Sequence, residues 1–461
     1  MLENARAYDD ELAQAIAASL MPLDRMEASA REAAALSLEM GEDPAQPFEE
    51  ALLSQLLSWF KGDFFTWVYR CRACGAETRF PRYNDPVKLL ETRRGRCGEW
   101  ANAFTMICAA AGLRARQVTD WHDHVWTEVW IPGTKEAGTA GRWVHADACE
   151  GIFDKPLLYE AGRMAGWGKQ LSYVLAASLD GVADVSRRYS KDWAATLRRR
   201  SLVSEYWLKD FIASETARVR TSRAQDADTW REMDAADVEC EASASCASGL
   251  PGRLSGCASW VAARGEGGAG ASAPGAQTAA NPGLPQGTRF RLAEDGQAPD
   301  TSSSTRVRGG AVRASGENLP GEGAVRAFDG LCATKWLDFT GGSPGARPWI
   351  EYRLRPQQPA QVLNSYALTS ANDAPERDPK AFTLQGLPDT AETSQEWVDL
   401  DTQTGVEFAG RHQRLSFQLH GEPRACRAWR LVNRELRDGK SANAVQLACF
   451  DLFAQPVKDC R

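Results

Sequence analysis

Long apolar runs are missing from this sequence. No stretch reaches the about eighteen apolar residues that a membrane-spanning helix needs, so no span is expected. The amino terminus has no basic segment ahead of an apolar one, so no secretory leader is expected. A basic surplus is missing as well. Net charge is −7, and the first fifty residues hold 12 acids against 3 bases. That argues against nucleic acid as a partner, because phosphate binding needs a basic face. The short run Arg198-Arg199-Arg200 suits the solvated side of a helix instead. Dense cysteine pairing is the last absence. The 12 cysteines are scattered over 461 residues, which reads as reduced thiols in a cytoplasmic protein rather than a disulfide framework.

What is present is a globular composition, 43% hydrophobic and 25% charged, enough for two or three domains. Its chemistry centres on Gly95-Arg96-Cys97-Gly98-Glu99-Trp100. After Cys97, apolar residues recur at Trp100, Phe104, Ile107 and Ala111, and Gly112 follows. That is helical spacing with a glycine stop. Cys97 therefore starts a helix, where free N–H groups and the helix dipole favour a thiolate. The same pattern also fits a buried structural cysteine.

Downstream, Trp121 to Ile131 alternates like a strand, with His124, Trp126 and Glu128 on one face. A Pro-Gly loop follows, then a second alternating segment from Arg142 to Cys149. Setting Ile131 opposite Arg142 puts Trp126 opposite Asp147 and Asp147 diagonal to His124. A helix-start cysteine with a histidine oriented by an aspartate is a nucleophile–base–orienter set. His122 has the same parity as His124, so alternation does not choose between them.

Several ordered segments carry a resemblance. They are Phe64-Phe65-Thr66-Trp67-Val68, Arg79-Phe80-Pro81-Arg82-Tyr83-Asn84, Leu89 to Arg93, Gly95 to Trp100, Asp123-His124-Val125-Trp126, His145 to Glu150 and Asp184 to Tyr189. Together they resemble the cytosolic peptide:N-glycanase family of the transglutaminase-like superfamily. The resemblance implies an α+β, papain-like transglutaminase core. It implies Cys97 as nucleophile, His124 as base and Asp147 as orienter, with Trp67, Trp143 and Glu150 lining the substrate cleft. Cys71 and Cys74 have the spacing of a zinc-ligand pair. The family pattern has two such pairs, and here one is absent, so a structural zinc lacks two ligands. Cys108 and Cys149 are the substitutes considered.

Four regions are expected: a helical arm at 1–60, the catalytic core at 61–236, a Gly/Ala/Ser-rich flexible linker at 237–288, and an all-β jelly-roll sandwich at 289–461. In the arm, Asp9 to Leu20 resembles a ubiquitin-interacting motif through Leu12, Ala15 and Ser19; Arg31 to Glu39 is a weaker second copy. Ordinary Ala-rich amphipathic helices fit both stretches equally. Phe328-Asp329-Gly330 with Thr334-Lys335-Trp336 resembles the start of a discoidin-like domain, which implies a glycan or protein ligand. Asp329 is read as either a calcium ligand or a turn cap.

The implied reaction is hydrolysis of the amide between asparagine and the first N-acetylglucosamine of N-glycans on misfolded glycoproteins. Ubiquitin and proteasome-shuttle proteins are the implied partners. A protein-crosslinking transglutaminase, a thiol protease and a non-catalytic scaffold remain as alternatives.

Overall fold

The computed structural model describes residues 2–68, 80–133, 138–160, 168–221, 226–243, 287–295, 304–319, 321–342, 345–389 and 396–455. Cys71, Cys74 and residues 244–286 of the expected 237–288 linker lie outside the described residues, whereas residues 237–243 continue a helix. The chain divides into two compact units, Met1–Arg31 with Pro47–Ala271, and Glu32–Gln46 with Ser272–Arg461.

The first unit opens with α1 (Leu2–Tyr8), α2 (Glu11–Leu20), α3 (Leu23–Glu39, whose last part belongs to the second unit) and α4 (Phe48–Trp59). The Asp10 carboxylate caps α2 by accepting from Ala13 N–H at 2.8 Å. These helices are not a detached arm. Ala5, Ala13 and Ala17 are buried, and Tyr8 Oη donates to Asn102 Oδ1 at 2.6 Å. Short β1 (Thr66–Trp67) pairs in parallel with β2 (Arg94–Gly95). Between them, α5 (Pro86–Thr92) carries proline at its first turn, where the missing N–H costs no helical bond. Then comes α6 (Cys97–Ala110), with Trp100, Phe104 and Ile107 buried as the spacing predicts. Gly112 has φ +80° just beyond it, a conformation that favours glycine.

A six-stranded antiparallel sheet follows: β3 (Ala115–Asp120), β4 (His124–Ile131), β5 (Arg142–Asp147), β6 (Ile152–Phe153), β7 (Val174–Ser178) and β8 (Gly181–Asp184). Their spatial order is β6-β5-β4-β3-β7-β8. Ile131 does lie opposite Arg142. Helix α6 covers one face, where Thr105 and Thr127 hydroxyls meet at 2.8 Å. On the other face, Trp126 packs with Val118, Tyr159 and Tyr189. Helices α7 (Ser186–Tyr189), α8 (Trp193–Arg199), α9 (Glu205–Arg220) and α10 (Ala227–Ser243) complete the unit. The arginine run is not wholly solvated. Arg200 is buried and paired with Asp184 and Glu205, and its guanidinium lies 4.6 Å from the centre of the Tyr173 ring.

The second unit is a β-sandwich. Its strands are β9 (Arg291–Leu292), β10 (Thr305–Arg306), β11 (Ala311–Ala314), β12 (Trp336–Asp338), β13 (Trp349–Arg353), β14 (Gln361–Thr369), β15 (Pro379–Pro388), β16 (Val398–Gln403), β17 (Arg414–Gln418), β18 (Ala425–Leu436), β19 (Val445–Leu447) and β20 (Cys449–Ala454). One layer runs β9-β11-β13-β18-β15-β16 and the other β10-β20-β14-β17. The start of β14 joins them by pairing with β18. Trp336, Trp429, Tyr352, Phe382 and Phe450 lie in its core.

Residues 32–46 are fastened to this sandwich. Leu36 packs on Phe290, and Glu39 accepts from Arg355 at 2.9 and 2.7 Å. This corrects the second ubiquitin-motif copy. Ser37 in that stretch is fully buried and donates to Glu42, so it offers no docking face. Asp329 caps a turn, accepting from Leu331 N–H at 2.8 Å and Thr334 Oγ1 at 2.7 Å.

Candidate active site

Cys97 is the first residue of α6 and is half-buried. Its approach is shaped by Gly95. A Cβ there would meet the Glu99 Cβ at 2.3 Å, so only glycine lets the Glu99 side chain fold back over the helix start. Glu99 Oε2 then accepts from Arg96 N–H at 3.0 Å, and its other oxygen pairs with Arg82. Trp67, opposite Gly95 through the β1–β2 pair, stands beside this helix start with its ring 6.5 Å from that of Trp100.

His124 is the first residue of β4 and Asp147 the last of β5. The hairpin register brings His124 Nε2 to 2.7 Å from Asp147 Oδ2. With Nε2 engaged by Asp147, Nδ1 is the ring nitrogen that can serve the Cys97 sulfur, which lies near enough to help raise the His124 ring. His122 does not share this position. It lies on the turn before β4, is half-exposed, and faces Asp120 and Ser172. The intervening Asp123 has φ +106°, and this sharp turn separates two histidines of equal parity.

The electrostatics favour a charged histidine. Burial alone pushes the His124 ring down, but the Asp147 charge, its hydrogen bond and the Cys97 sulfur outweigh this and raise it to about 9. Burial would raise Asp147, yet the His124 charge and three-sided hydrogen bonding hold it below the usual carboxylate range. A cysteine here with a protonated imidazole can act as a nucleophile with a general acid beside it.

The other sequence-singled residues fall differently. Trp143 is buried among Trp130, Trp230 and Met233, with the Arg116 guanidinium 3.6 Å over its ring. It is therefore core rather than cleft wall, because α10 covers that end of the sheet. Glu150 is also buried. Its N–H donates to Asp147 Oδ1 at 3.2 Å, so it supports the carboxylate. Cys108 is fully buried on α6, and burial pushes its thiol up. Cys149 donates to Asp147 Oδ1 at 3.2 Å. Burial and the Asp147 charge hold that thiol well above its ordinary value, so Cys149 stays protonated beside the site. Among the described residues, His124, Asp147 and Cys149 are the group with cation-ligand spacing, their ligand atoms all within 4.8 Å.

Sequence reasoning missed Tyr159 and the use of His145. Tyr159 Oη donates to Asp147 Oδ2 at 2.8 Å and lies 2.8 Å from His145 Nε2. His145 was findable, since it shares the Asp147 face of β5. Tyr159 lies beyond any strand period. Beneath them, buried Glu128 accepts from Arg116, Arg188 and Tyr189 at 2.6 to 2.8 Å.

Comparison with known proteins agrees with this geometry. The transglutaminase-like superfamily pattern matches residues 62–148, and that of the Rad4 transglutaminase-like domain matches 118–238. The chain is 30% identical to the peptide-N(4)-(N-acetyl-beta-glucosaminyl)asparagine amidase of Arabidopsis thaliana, covering 97% of this chain and 82% of that one. It is 40% identical to the protein so named in Gallus gallus and 37% to that of Homo sapiens, covering 56% and 58% of this chain. It spans less than half of those two proteins, 44% and 45%. Solved structures similar to the sandwich include a family 32 carbohydrate-binding module from C. perfringens in complex with galactose, at 14% identity and TM-score 0.25 over 31% of this chain and 91% of that one. Another is an F5/8 type C domain from Bacteroides fragilis, at 19% and 0.28 over 34% and 99%. Likeness of that degree says nothing about a ligand. The likeness to the plant protein runs through both units, and the chain belongs to the peptide-N(4)-(N-acetyl-beta-glucosaminyl)asparagine amidase family.

Proposed function

We propose that the protein hydrolyses the side-chain amide joining asparagine to the proximal N-acetylglucosamine of N-glycans on misfolded glycoproteins. The observation that carries this is the 2.7 Å His124–Asp147 pair facing a helix-start cysteine in a member of this family. Cys97 as thiolate attacks the side-chain carbonyl, and the positive end of α6 favours the oxyanion. The His124 imidazolium protonates the departing glycosylamine. Water then hydrolyses the Cys97 thioester with His124 as base, leaving aspartate and the free thiol. Acyl chemistry of this kind needs no pair of carboxylates flanking a glycosidic bond. Incubation of the purified chain with a denatured N-glycoprotein should release intact glycan and convert the asparagine to aspartate. Peptide cleavage or amine incorporation without glycan release would point to a protease or crosslinking enzyme instead. No reaction at all would leave a scaffold.

Four finer readings accompany it. Helix α2 binds ubiquitin: Leu12, Ala15 and Ser19 are exposed along one face while Ala13 and Ala17 face inward. The sandwich holds a glycan or a protein, and the setting is cytoplasmic disposal of misfolded glycoproteins, including proteasome-shuttle partners. Among the described residues, no helix is long and apolar enough to cross a membrane. Zinc on Cys71 and Cys74 is weak or absent, because Cys108 is buried in α6 and Cys149 is bonded to Asp147. Elemental analysis finding one tightly held zinc per chain would overturn that reading.

A further inference from the structure

Among the described residues, Asp147 Oδ2 has two hydrogen-bond partners, His124 Nε2 at 2.7 Å and Tyr159 Oη at 2.8 Å. Tyr159 Oη is in turn 2.8 Å from His145 Nε2, and His145 Nδ1 is 3.3 Å from Lys155 N–H. His145 and Tyr159 are fully buried. The direction of every proton along this row follows from chemistry. A backbone N–H only donates, so His145 Nδ1 accepts. Burial pushes the His145 ring down to about 4, so it is neutral and its single proton sits on Nε2. That proton points to Tyr159 Oη, and the phenol's own proton points to Asp147. A carboxylate only accepts, so His124 must present Nε2–H to it and turn Nδ1 toward Cys97.

We propose that Tyr159 and His145 are positioning residues: the directed row from Lys155 N–H through His145 and Tyr159 to Asp147 sets the carboxylate's orientation and, through it, the tautomer in which His124 serves Cys97. The row is held from the sides. The Tyr159 ring stacks on Trp126 with centroids 4.6 Å apart and meets the His124 ring edge-on at 5.3 Å. Asp147 Oδ1 is tied by Glu150 N–H and the Cys149 thiol, each at 3.2 Å. Rotation of the carboxylate would break bonds on both oxygens. This inference rests on the amidase reading for the substrate, while the geometry is independent of it.

Tyr159→Phe keeps the ring and its stacking and removes only the hydroxyl. It should lower kcat about tenfold or more, the scale seen when an outer-shell partner is lost, with KM within about twofold. His145→Leu should lower kcat in the same way. His145→Gln, whose amide N–H can stand in for Nε2–H, should recover most of that loss. Nitrogen NMR of His124, recorded above pH 9 where the ring is neutral, should show Nε2 as the protonated site in the wild type and a mixture of tautomers in Tyr159→Phe. The iodoacetamide reaction rate at Cys97 should fall in step with kcat. Unchanged kcat in Tyr159→Phe with an unchanged His124 spectrum would overturn the proposal, as would equal losses in His145→Gln and His145→Leu. The NMR and alkylation readouts use no glycan. A wild type that releases none would therefore overturn the amidase reading and still leave this one tested.

Discussion

His124 and Asp147 lie 2.7 Å apart with only 1% of each side chain exposed. They come from the two ends of one hairpin, the first residue of β4 and the last of β5. A charged pair so fully buried is costly unless other hydrogen bonds complete it. Here Tyr159, Glu150 N–H and Cys149 do so. The pair's stability and its chemistry are therefore tested by the same changes.

Replacing Cys97 by alanine should abolish glycan release and leave the folded structure intact. Mass-spectrometric mapping after brief alkylation should show Cys97 modified well before Cys108 and Cys149. Those two thiols are held protonated by burial. Near-normal turnover by Cys97→Ala would remove the nucleophile from the mechanism.

The two neighbouring histidines separate cleanly. His124→Ala should be inactive, while His122→Ala, altering a half-exposed turn residue, should keep substantial activity. Steady-state rates of the two variants decide it. The reverse order would contradict the hairpin geometry.

The pH dependence has a defined sign. His124 is raised above an ordinary histidine, so its acid form persists through neutrality, and kcat should fall as pH rises through about 9. Asp147→Asn removes the charge that raises it and should move that alkaline limb down by about one unit or more. Stability follows the same linkage. The His124 contribution is full below about pH 6.5 and lost as pH climbs through the folded value. The Asp147 contribution is present above about pH 4 and lost as pH falls through its lowered value. Urea midpoints measured across pH would show both trends.

Trp143 should behave as core. Trp143→Ala should cost about 3–5 kcal/mol of stability, the usual price of emptying a buried tryptophan site. KM measured well below the melting transition should change little. A large KM increase with unchanged stability would return Trp143 to the cleft.

The α2 face can be tested on the whole chain. Leu12→Ala with Ser19→Ala should weaken retention of polyubiquitinated glycoprotein and leave turnover of a short glycopeptide almost unchanged. Both side chains are exposed, so stability should move little. If added ubiquitin shifts no α2 resonance, α2 is only a packing helix.

Local order was legible in the residues themselves. The spacing from Cys97 to Gly112 defined a helix with the cysteine at its start, because a backbone turning every 3.6 residues repeats its buried side at that interval. The two-residue strand period put His124 and Asp147 on one face, and the register assumed for the hairpin, Ile131 opposite Arg142, is the one the sheet adopts. Distant pairings were not legible. Parity is the same for His122 and His124, and only the turn at Asp123 parts them. Tyr159 reaches Asp147 across 12 positions with no period to announce it. Trp143 is buried because Trp230 and Met233 on α10 come to rest on it. The amino-terminal helices join the core because Tyr8 finds Asn102. Backbone geometry sets what repeats along the chain. Which surfaces then exclude water from one another is decided only when the whole chain packs.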